Sequence, residues 1–379
     1  MQGIIIGGGI GGLATAVALR QQGIDVQVFE QTPEIREVGA GLVLSPNALQ
    51  VLERLNLLET IRQQGWSLQK GIIADPNGTV VQTVDVDAMT RQYGYGMTVI
   101  KRGSLQKTLL EALTDGRVRT GKQLRNLQDT GQKVRATFTD GSSAEGDFLI
   151  GADGIRSVVR RQLMGEKPLR YSGQTCWRTI IDGHLPTDSE RTSVEYWGKS
   201  SGLRVGFVPL GPDKIYTYVT ARAAAGQHDQ PGRASSLLVL GREFTPAVNR
   251  ILAQADESRI FRADLYDLPT LTSWSQGKIT LLGDAAHATT PNIGQGACQA
   301  IEDAWVVANC LSRHEPAQAF ATYEALRKRK ADRVVQISRQ IGTAVNTPGW
   351  LKPLVFAAMR SIPKSFSARQ FREIYQLTV

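Results

Sequence analysis

Apolar residues along this chain repeat with two different periods, and the changes between them mark its organisation. Ile4-Ile5-Ile6 is an unbroken apolar run, the pattern of a strand buried on both faces. Leu13-Ala14-Thr15-Ala16-Val17-Ala18-Leu19 continues with helical composition, and Asp25 to Phe29 returns to strand. Ser45-Pro46-Asn47 opens a helix with Leu49, Leu52 and Leu55 on its apolar side. From Trp66 to Val84 the period falls to two, and Pro76-Asn77-Gly78-Thr79 turns the segment into a hairpin. A helix is predicted from Arg102 to about Thr114, then strands at Arg117–Arg119, Leu124–Leu127 and Lys133–Thr139. Asp140-Gly141 turns the last of these back into Glu145–Ile150.

Between Tyr171 and Asp267 long alternating segments dominate, with Trp177, Trp197, Phe207, Tyr216 and Tyr218 among them. Leu203–Leu210 and Lys214–Thr220 read as two such strands. A polar stretch, Ala225–Ser236, interrupts them before a helical piece around Pro246–Ala253. Lys278-Ile279-Thr280-Leu281-Leu282 is again a buried strand, followed by a long helix with Ala300, Ile301, Ala304, Val307, Ala308 and Leu311 at helical spacing. The alternation predicts an α/β unit assembled from residues 1–72, 100–170 and 277–335. A mainly antiparallel β domain is inserted as a hairpin at 73–99 and a larger block at 171–276, and a helical segment, 336–379, follows.

Three glycine-bearing junctions carry the candidate chemistry. Gly7, Gly9 and Gly12 satisfy G-x-G-x-x-G between the first strand and the first helix, with Gly11 beside them. Such a turn needs glycine for tightness, for close approach of a pyrophosphate and for helix–strand packing. The helix start offers free N–H groups to phosphate. Glu30 ends the second strand, 18 residues after Gly12, where a carboxylate accepts hydrogen bonds from ribose hydroxyls. The unit therefore predicts a Rossmann-like dinucleotide site. The second junction, Gly151-Ala152-Asp153-Gly154, follows Phe148-Leu149-Ile150 and opens another helix; Asp153 is either a helix cap or a ligand contact. The third runs from Gly283-Asp284 through His287 to Pro291-Asn292-Ile293-Gly294-Gln295-Gly296-Ala297-Cys298. Asp284 is placed to accept from ribityl hydroxyls, and the Gly294-Gln295-Gly296 turn bares a second helix N-terminus, which stabilises negative charge. That machinery suits a flavin better than a nicotinamide.

Composition narrows the remaining classes. A hydrophobic content of 41% and a charged content of 21% are ordinary for a globular enzyme. No run approaches the roughly 18 apolar residues of a membrane span, and the N-terminus lacks the basic region of a signal peptide. Cys176, Cys298 and Cys310 form no C-x-x-C pair, so neither a metal site nor a redox dithiol is expected, and a cytoplasmic location is. The net charge of +9 resides in the tail, where residues 326–379 hold eleven Lys or Arg against Asp332 and Glu373. Trp350 to Arg360, then Ile362, Phe366, Arg369, Phe371 and Arg372, mix apolar and cationic side chains. Two outcomes are open: the tail packs on the rest of the protein or a second subunit, or it lies in an anionic membrane surface. No nucleic-acid partner is expected, and either a monomer or a homodimer fits.

In order and spacing, the three junctions resemble those of the class A flavoprotein monooxygenases of the para-hydroxybenzoate hydroxylase fold. The resemblance covers about the first 335 residues and is strongest to FAD-dependent urate hydroxylases and zeaxanthin epoxidases. It implies a glutathione-reductase type FAD-binding domain with an inserted substrate domain. It implies FAD contacts at Gly11, Glu30, Gln31, Val43, Arg102, Leu124, Asp284 and Gly294 to Cys298, with Arg36 near the isoalloxazine-side loop. Arg204 and Tyr216 match substrate-pocket positions of the urate hydroxylases and are expected to orient the substrate. With Asn292 and Pro291 they are the candidate catalytic residues the resemblance implies. Those hydroxylases have aspartate where this chain has Asn292, and the epoxidases have asparagine, so urate is not the expected substrate.

The resemblance further implies NAD(P)H as a transient co-substrate, since only one dinucleotide fingerprint exists. Oxygen would then pass from a flavin C4a-hydroperoxide to an aromatic, heteroaromatic or unsaturated small molecule, or, at a membrane surface, to an isoprenoid or carotenoid alkene. The hard chemistry belongs to the cofactor. Rival classes on this fold are an oxidase without a nicotinamide requirement and a halogenase, for which no W-x-W-x-I-P-type segment is present. A dithiol flavin reductase lacks its cysteines, and a non-catalytic flavin module leaves the large β domain without purpose. His287 reads as a structural histidine of the flavin loop, and Cys298 and Cys310 as helix packing.

Overall fold

Gln2–Ile6 lies within a six-stranded sheet, flanked in parallel by Asp25–Phe29 and Phe148–Gly151. Val118–Arg119 extends one edge in parallel. Ile279–Leu281 extends the other, and the short Ser275–Gln276 turns back antiparallel against it. The computed structural model describes residues 1–35, 40–113, 116–185, 190–229, 232–361 and 371–377. The all-apolar strand sequences are explained by this position, since helices cover both faces of a parallel sheet. Helix Ile10–Gln21 is buried from Gly12 to Leu19 and packs against helix Gly296–Leu311.

A second sheet of seven strands holds the inserted β segments. Its order is Phe261–Asp267, Arg170–Asp182, Lys214–Arg222, Arg204–Pro209, Thr192–Trp197, Lys70–Ala74 and Val80–Asp85. All pairs are antiparallel except Lys70–Ala74 with Thr192–Trp197. One face is apolar: Trp177, Ile181, Val194, Tyr196, Val205, Phe207, Ile215 and Val219 pack beneath helices Arg233–Gly241 and Pro246–Leu252. Side chains alternate across a strand, so Cys176, Arg178, Glu195, Trp197, Arg204, Tyr216, Tyr218 and Thr220 take the other face. That second face meets the parallel unit.

Four local readings change. The hairpin expected from Trp66 to Val84 is confined to Lys70–Ala74 and Val80–Asp85, while Trp66–Leu68 pairs with Met97–Lys101 in a separate three-stranded sheet that includes Gly41–Leu44. Glu145–Ile150 is not one strand: it breaks at Asp147, giving Ser143–Gly146 in a small antiparallel sheet and Phe148–Gly151 in the central one. Asp147 accepts the Gln2 amide at 2.6 Å, fixing that corner. Helix Arg102–Glu111 ends one turn short of Thr114, which lies outside the described residues. The polar stretch ending at Ser236 is already helical from Arg233.

Helix Pro316–Val345 is continuous, and Lys352–Ser361 folds back on the second sheet. Phe356 packs 6.5 Å from the Trp197 ring centroid, in a cluster with Val81 and Val345. Ile374 and Tyr375 pack on Val334 and Ile337 of the long helix. The tail's apolar residues are thus largely covered by the chain itself, while Trp350 is 79% and Leu354 66% exposed. Ile362, Phe366 and Arg369 lie outside the described residues.

Candidate active site

Two helix starts and two carboxylates converge on one cleft. Gly7 adopts φ +111°, and a Cβ on Gly12 would sit 1.9 Å from the Gly7 carbonyl oxygen, so strand and helix touch through glycine alone. Gly9 is different: a Cβ there would meet nothing within 4 Å. No side chain caps helix Ile10–Gln21 or helix Gly296–Leu311. Their starting turns lie side by side, since a Cβ on Gly11 would touch Leu282 and Ala300. Two uncapped N-termini beside open space form a cradle for an anion.

Glu30 stands at the end of strand Asp25–Phe29, against the first glycine turn. One carboxylate oxygen accepts the Gly8 amide at 2.6 Å, and the other accepts from Thr32 N at 2.9 Å and Thr32 Oγ1 at 3.0 Å. Gln31 is exposed beside it, and Leu124 is buried at the start of strand Leu124–Asp129. Arg36 lies outside the described residues.

Asp284 sits deep in the fold and yet is open to solvent, as a group lining a cleft must be. Burial pushes its carboxyl pKa up, partly offset by the positive fields of His287 and Arg102. Gly296 approaches it, with Cβ space ending 3.9 Å from Asp284 Oδ1. Arg102 is exposed, and its amide donates to Ala40 O. Gly294 has φ +64°, which opens the turn into the second helix start. Gln295 turns its side chain inward, accepting from Gln299 Nε2 at 2.9 Å and Asn47 Nδ2 at 3.4 Å, so it offers the cleft only backbone. Ala297 is partly buried, and Cys298 is buried with its thiol against Val43 O at 3.5 Å and its pKa pushed up by burial to about 11.

Asp153 accepts from Ser157 Oγ at 2.5 Å, Val158 N at 2.7 Å and Val159 N at 3.1 Å, so its carboxylate organises the start of helix Val158–Met164. Arg160, on that helix, reaches Ala285 O at 2.9 Å and ties the second junction to the third.

Beneath the cleft lies a buried charge network that the sequence did not signal. His287 Nε2 is 2.6 Å from Asp303 Oδ2, and Arg327 Nε donates to Asp303 Oδ1 at 2.7 Å. Arg327 also donates to Glu302, which receives Lys330 Nζ at 2.6 Å and Asn47 Nδ2 at 3.0 Å. Asp303 further accepts the Gly283 amide at 3.1 Å, so the network holds the Asp284 turn from below. His287 works here as a structural residue.

The polar face of the second sheet forms the opposite wall. The Tyr216 ring packs against Gly41, where a Cβ would come within 2.8 Å. Tyr216 and Tyr218 cluster with Val43, Met97, Val99, Val208 and Leu210. Arg204 donates from NH2 to Asn292 Oδ1 at 2.7 Å, and Asn292 Nδ2 donates to Ser338 O at 2.7 Å. Pro291 is exposed on the short turn that carries Asn292.

Comparison with known proteins identifies the family. The FAD-binding-domain family matches residues 1–338. The chain belongs to the FAD-binding monooxygenase family. It is 38% identical over 340 residues to the aurachin C monooxygenase/isomerase of Stigmatella aurantiaca, covering 89% of this chain and 88% of that one. It is 33% identical to the chloroplastic zeaxanthin epoxidase of Nicotiana plumbaginifolia, covering 91% of this chain and 55% of that one. The structure superposes on Klebsiella pneumoniae HpxO complexed with FAD and uric acid with a TM-score of 0.90 at 27% identity, covering 99% and 97% of the two chains.

This monooxygenase uses FAD, and NAD(P)H as co-substrate is general for its family. The cleft fits that group on its own geometry: open space at Gly9, two uncapped helix starts, and the deep solvent-open Asp284 carboxylate. Among the described residues no helix is long and apolar enough to cross a membrane.

Proposed function

We propose that this monooxygenase hydroxylates or epoxidises an aromatic, heteroaromatic or unsaturated small molecule in the space between the cofactor cleft and the polar face of the seven-stranded sheet. The carrying observation is the Tyr216–Tyr218 wall, with ring centroids 5.8 Å apart, set among Val43, Met97 and Val208. A flat or unsaturated ligand finds dispersion contact there, and the apolar lining excludes water from the reacting atoms. Uric acid in HpxO is a small ring compound of this kind, and aurachin C and zeaxanthin in the relatives' names extend the range to lipophilic ones.

In this reading Gly7, Gly9, Gly11 and Gly12 hold the pyrophosphate, Glu30 the ribose, and Asp284 with Arg102 the ribityl side. Gly294 to Cys298 supply backbone N–H groups and a helix start to the ring edge that gains negative charge on reduction. Bound FAD supplies the two-electron chemistry that activates O2. Tyr216 orients the substrate, and burial raises its hydroxyl pKa, so it stays a neutral donor at pH 7. Asn292 and Pro291 set the position of Arg204. Residues 1–72, 100–170 and 277–335 form the FAD unit, and 73–99 with 171–276 the substrate unit.

The test is NAD(P)H oxidation by the yellow holoenzyme across a panel of phenols, purines, quinolones and carotenoids. Substrate-stimulated oxidation with an oxygenated product is expected. Flavin reduction by substrate itself, without nicotinamide, would make the protein an oxidase.

A second reading adds a membrane surface. It is favoured by the exposed Trp350 and Leu354 at the start of a basic terminal segment. Flotation with anionic liposomes at low salt checks it: wild type should float and Trp350→Ser with Leu354→Ser should not.

A further inference from the structure

Two of the arginines on the polar sheet face, Arg204 and Arg178, have opposite surroundings. Arg204 is 2% exposed. Its Nε donates to Thr220 Oγ1 at 3.3 Å and its NH2 to Asn292, while NH1 lies 3.7 Å from Glu195 Oε2. Glu195 is itself fixed, accepting from Trp197 Nε1 at 2.6 Å and from the Tyr218 hydroxyl. The Arg204 charge is therefore faced by a carboxylate within the fold, and its Nε and NH2 already donate to protein partners.

Arg178 stands two strands away, on the strand that pairs with the one carrying Tyr216 and Tyr218. It is partly exposed, and the register sets it directly opposite Tyr218 and one pair along from Tyr216 on the same face. The titratable groups that face it are Tyr218, Tyr216 and the Cys176 thiol, all held neutral by burial. Among the described residues it forms no ion pair with a carboxylate. On its other side the register sets it opposite Phe261, whose ring is half exposed. A guanidinium deep in the fold without a counter-ion, but reachable from solvent and flanked by two rings, has the chemistry of an anion site.

We propose that Arg178, rather than Arg204, is the cation that selects the substrate, pairing with an acidic oxygen (carboxylate, phenolate or enolate) on a ring held between Tyr216 and Phe261. This rests on the monooxygenase reading of the site and specifies its substrate as an anionic or readily ionised ring compound. Arg204, locked to Glu195 and Asn292, is a positioning residue that holds the Asn292 turn against the sheet.

The experiment is calorimetric titration of the FAD-loaded full chain with 2-naphthoate and its neutral isostere 2-naphthamide. Wild type should prefer the naphthoate. Arg178→Gln should weaken naphthoate by about 10-fold or more and leave naphthamide within about threefold. Arg178→Lys, which keeps the charge but not the planar fork, should fall between. Arg204→Gln should not change the naphthoate-to-naphthamide ratio. Equal affinity for the two probes in wild type, no binding of naphthoate, or a selective loss in Arg204→Gln instead would each overturn the proposal. FAD content and melting temperature establish that the variants fold, and Arg178→Met repeats the charge removal with similar bulk. Failure of both neutral variants to fold would make Arg178 structural and also overturn it. Loss of probe selectivity with substrate-stimulated NAD(P)H oxidation intact removes this inference alone, whereas a colourless wild type removes the monooxygenase reading.

Discussion

The cofactor cleft and the sheet wall facing it are built on different principles. The cleft is mostly backbone: glycines at Gly7, Gly9, Gly12 and Gly294, two helix starts, and carboxylates placed one at the end of each strand–turn unit. The wall is side chains from four strands, brought together by pairing across long separations, such as Cys176 with Thr220 and Arg204 with Asn292. The cleft tolerates little change in shape but asks little of side-chain chemistry. If the wall is the substrate site, substitutions there should spare the fold and show in specificity. The difference teaches that cofactor and substrate sites of one enzyme fail in distinguishable ways.

The largest expected effect comes from the charge network beneath the cleft. Arg327→Met removes the cation that Glu302 and Asp303 share, leaving them Lys330 and His287 alone, and should lower stability by about 3–5 kcal/mol. Urea unfolding of the apoprotein measures it; an unchanged midpoint would separate the network from the fold. Next come two glycines that sharpen the contrast within the cleft. Gly12→Ala drives a methyl onto the Gly7 carbonyl and should cost about 3 kcal/mol of stability, FAD present or not. Gly9→Ala meets no protein atom and has ordinary strand-like angles, φ −74° and ψ 179°. It should leave apoprotein melting unchanged while FAD retention drops, because the space belongs to the ligand.

Asp284→Ala should weaken FAD by about 1.5–3 kcal/mol through loss of a charged acceptor, followed by flavin fluorescence on dialysis. The pH dependence of the fold carries a comparable magnitude. Burial alone raises the Asp303 pKa, but His287 and Arg327 outweigh it and hold the carboxyl at about 2, below the ordinary 3.8. The unfolded chain therefore binds the extra proton first. The stabilisation is complete above pH 4 and is lost as pH falls toward 2, by about 2 kcal/mol. Denaturation midpoints at pH 5 and pH 2.5, compared with Asp303→Asn, isolate that share. The smallest effect belongs to the wall. Tyr216→Phe should keep FAD and stability and raise KM only severalfold, about 1 kcal/mol for one hydroxyl contact; loss of flavin instead would merge wall and cleft into one unit.

Much of this was present in the chain's local patterns. The strand–glycine–helix unit, Glu30 at the end of the second strand and Asp284 at the end of Ile279–Leu281 all depend on residues near one another in sequence. Periodicity and glycine placement report those directly. The antiparallel character of residues 171–267 follows from the same source, since alternation reveals a strand with one polar face.

What local pattern could not carry is which polar residues meet. Arg204 and Arg178 are indistinguishable as strand cations in sequence. Only the tertiary fold sets one beside Glu195 and Asn292 and leaves the other between Tyr218 and Phe261. The same holds for His287, Asp303, Arg327 and Lys330, whose charges become a buried network only when helices Gly296–Leu311 and Pro316–Val345 pack together. The sequence by itself determined the cofactor cradle, because backbone conformation and helix starts are decided within a few residues. Tertiary structure alone decided which charges are cancelled and which stay open to a ligand, because that depends on distance and desolvation between segments far apart in the chain.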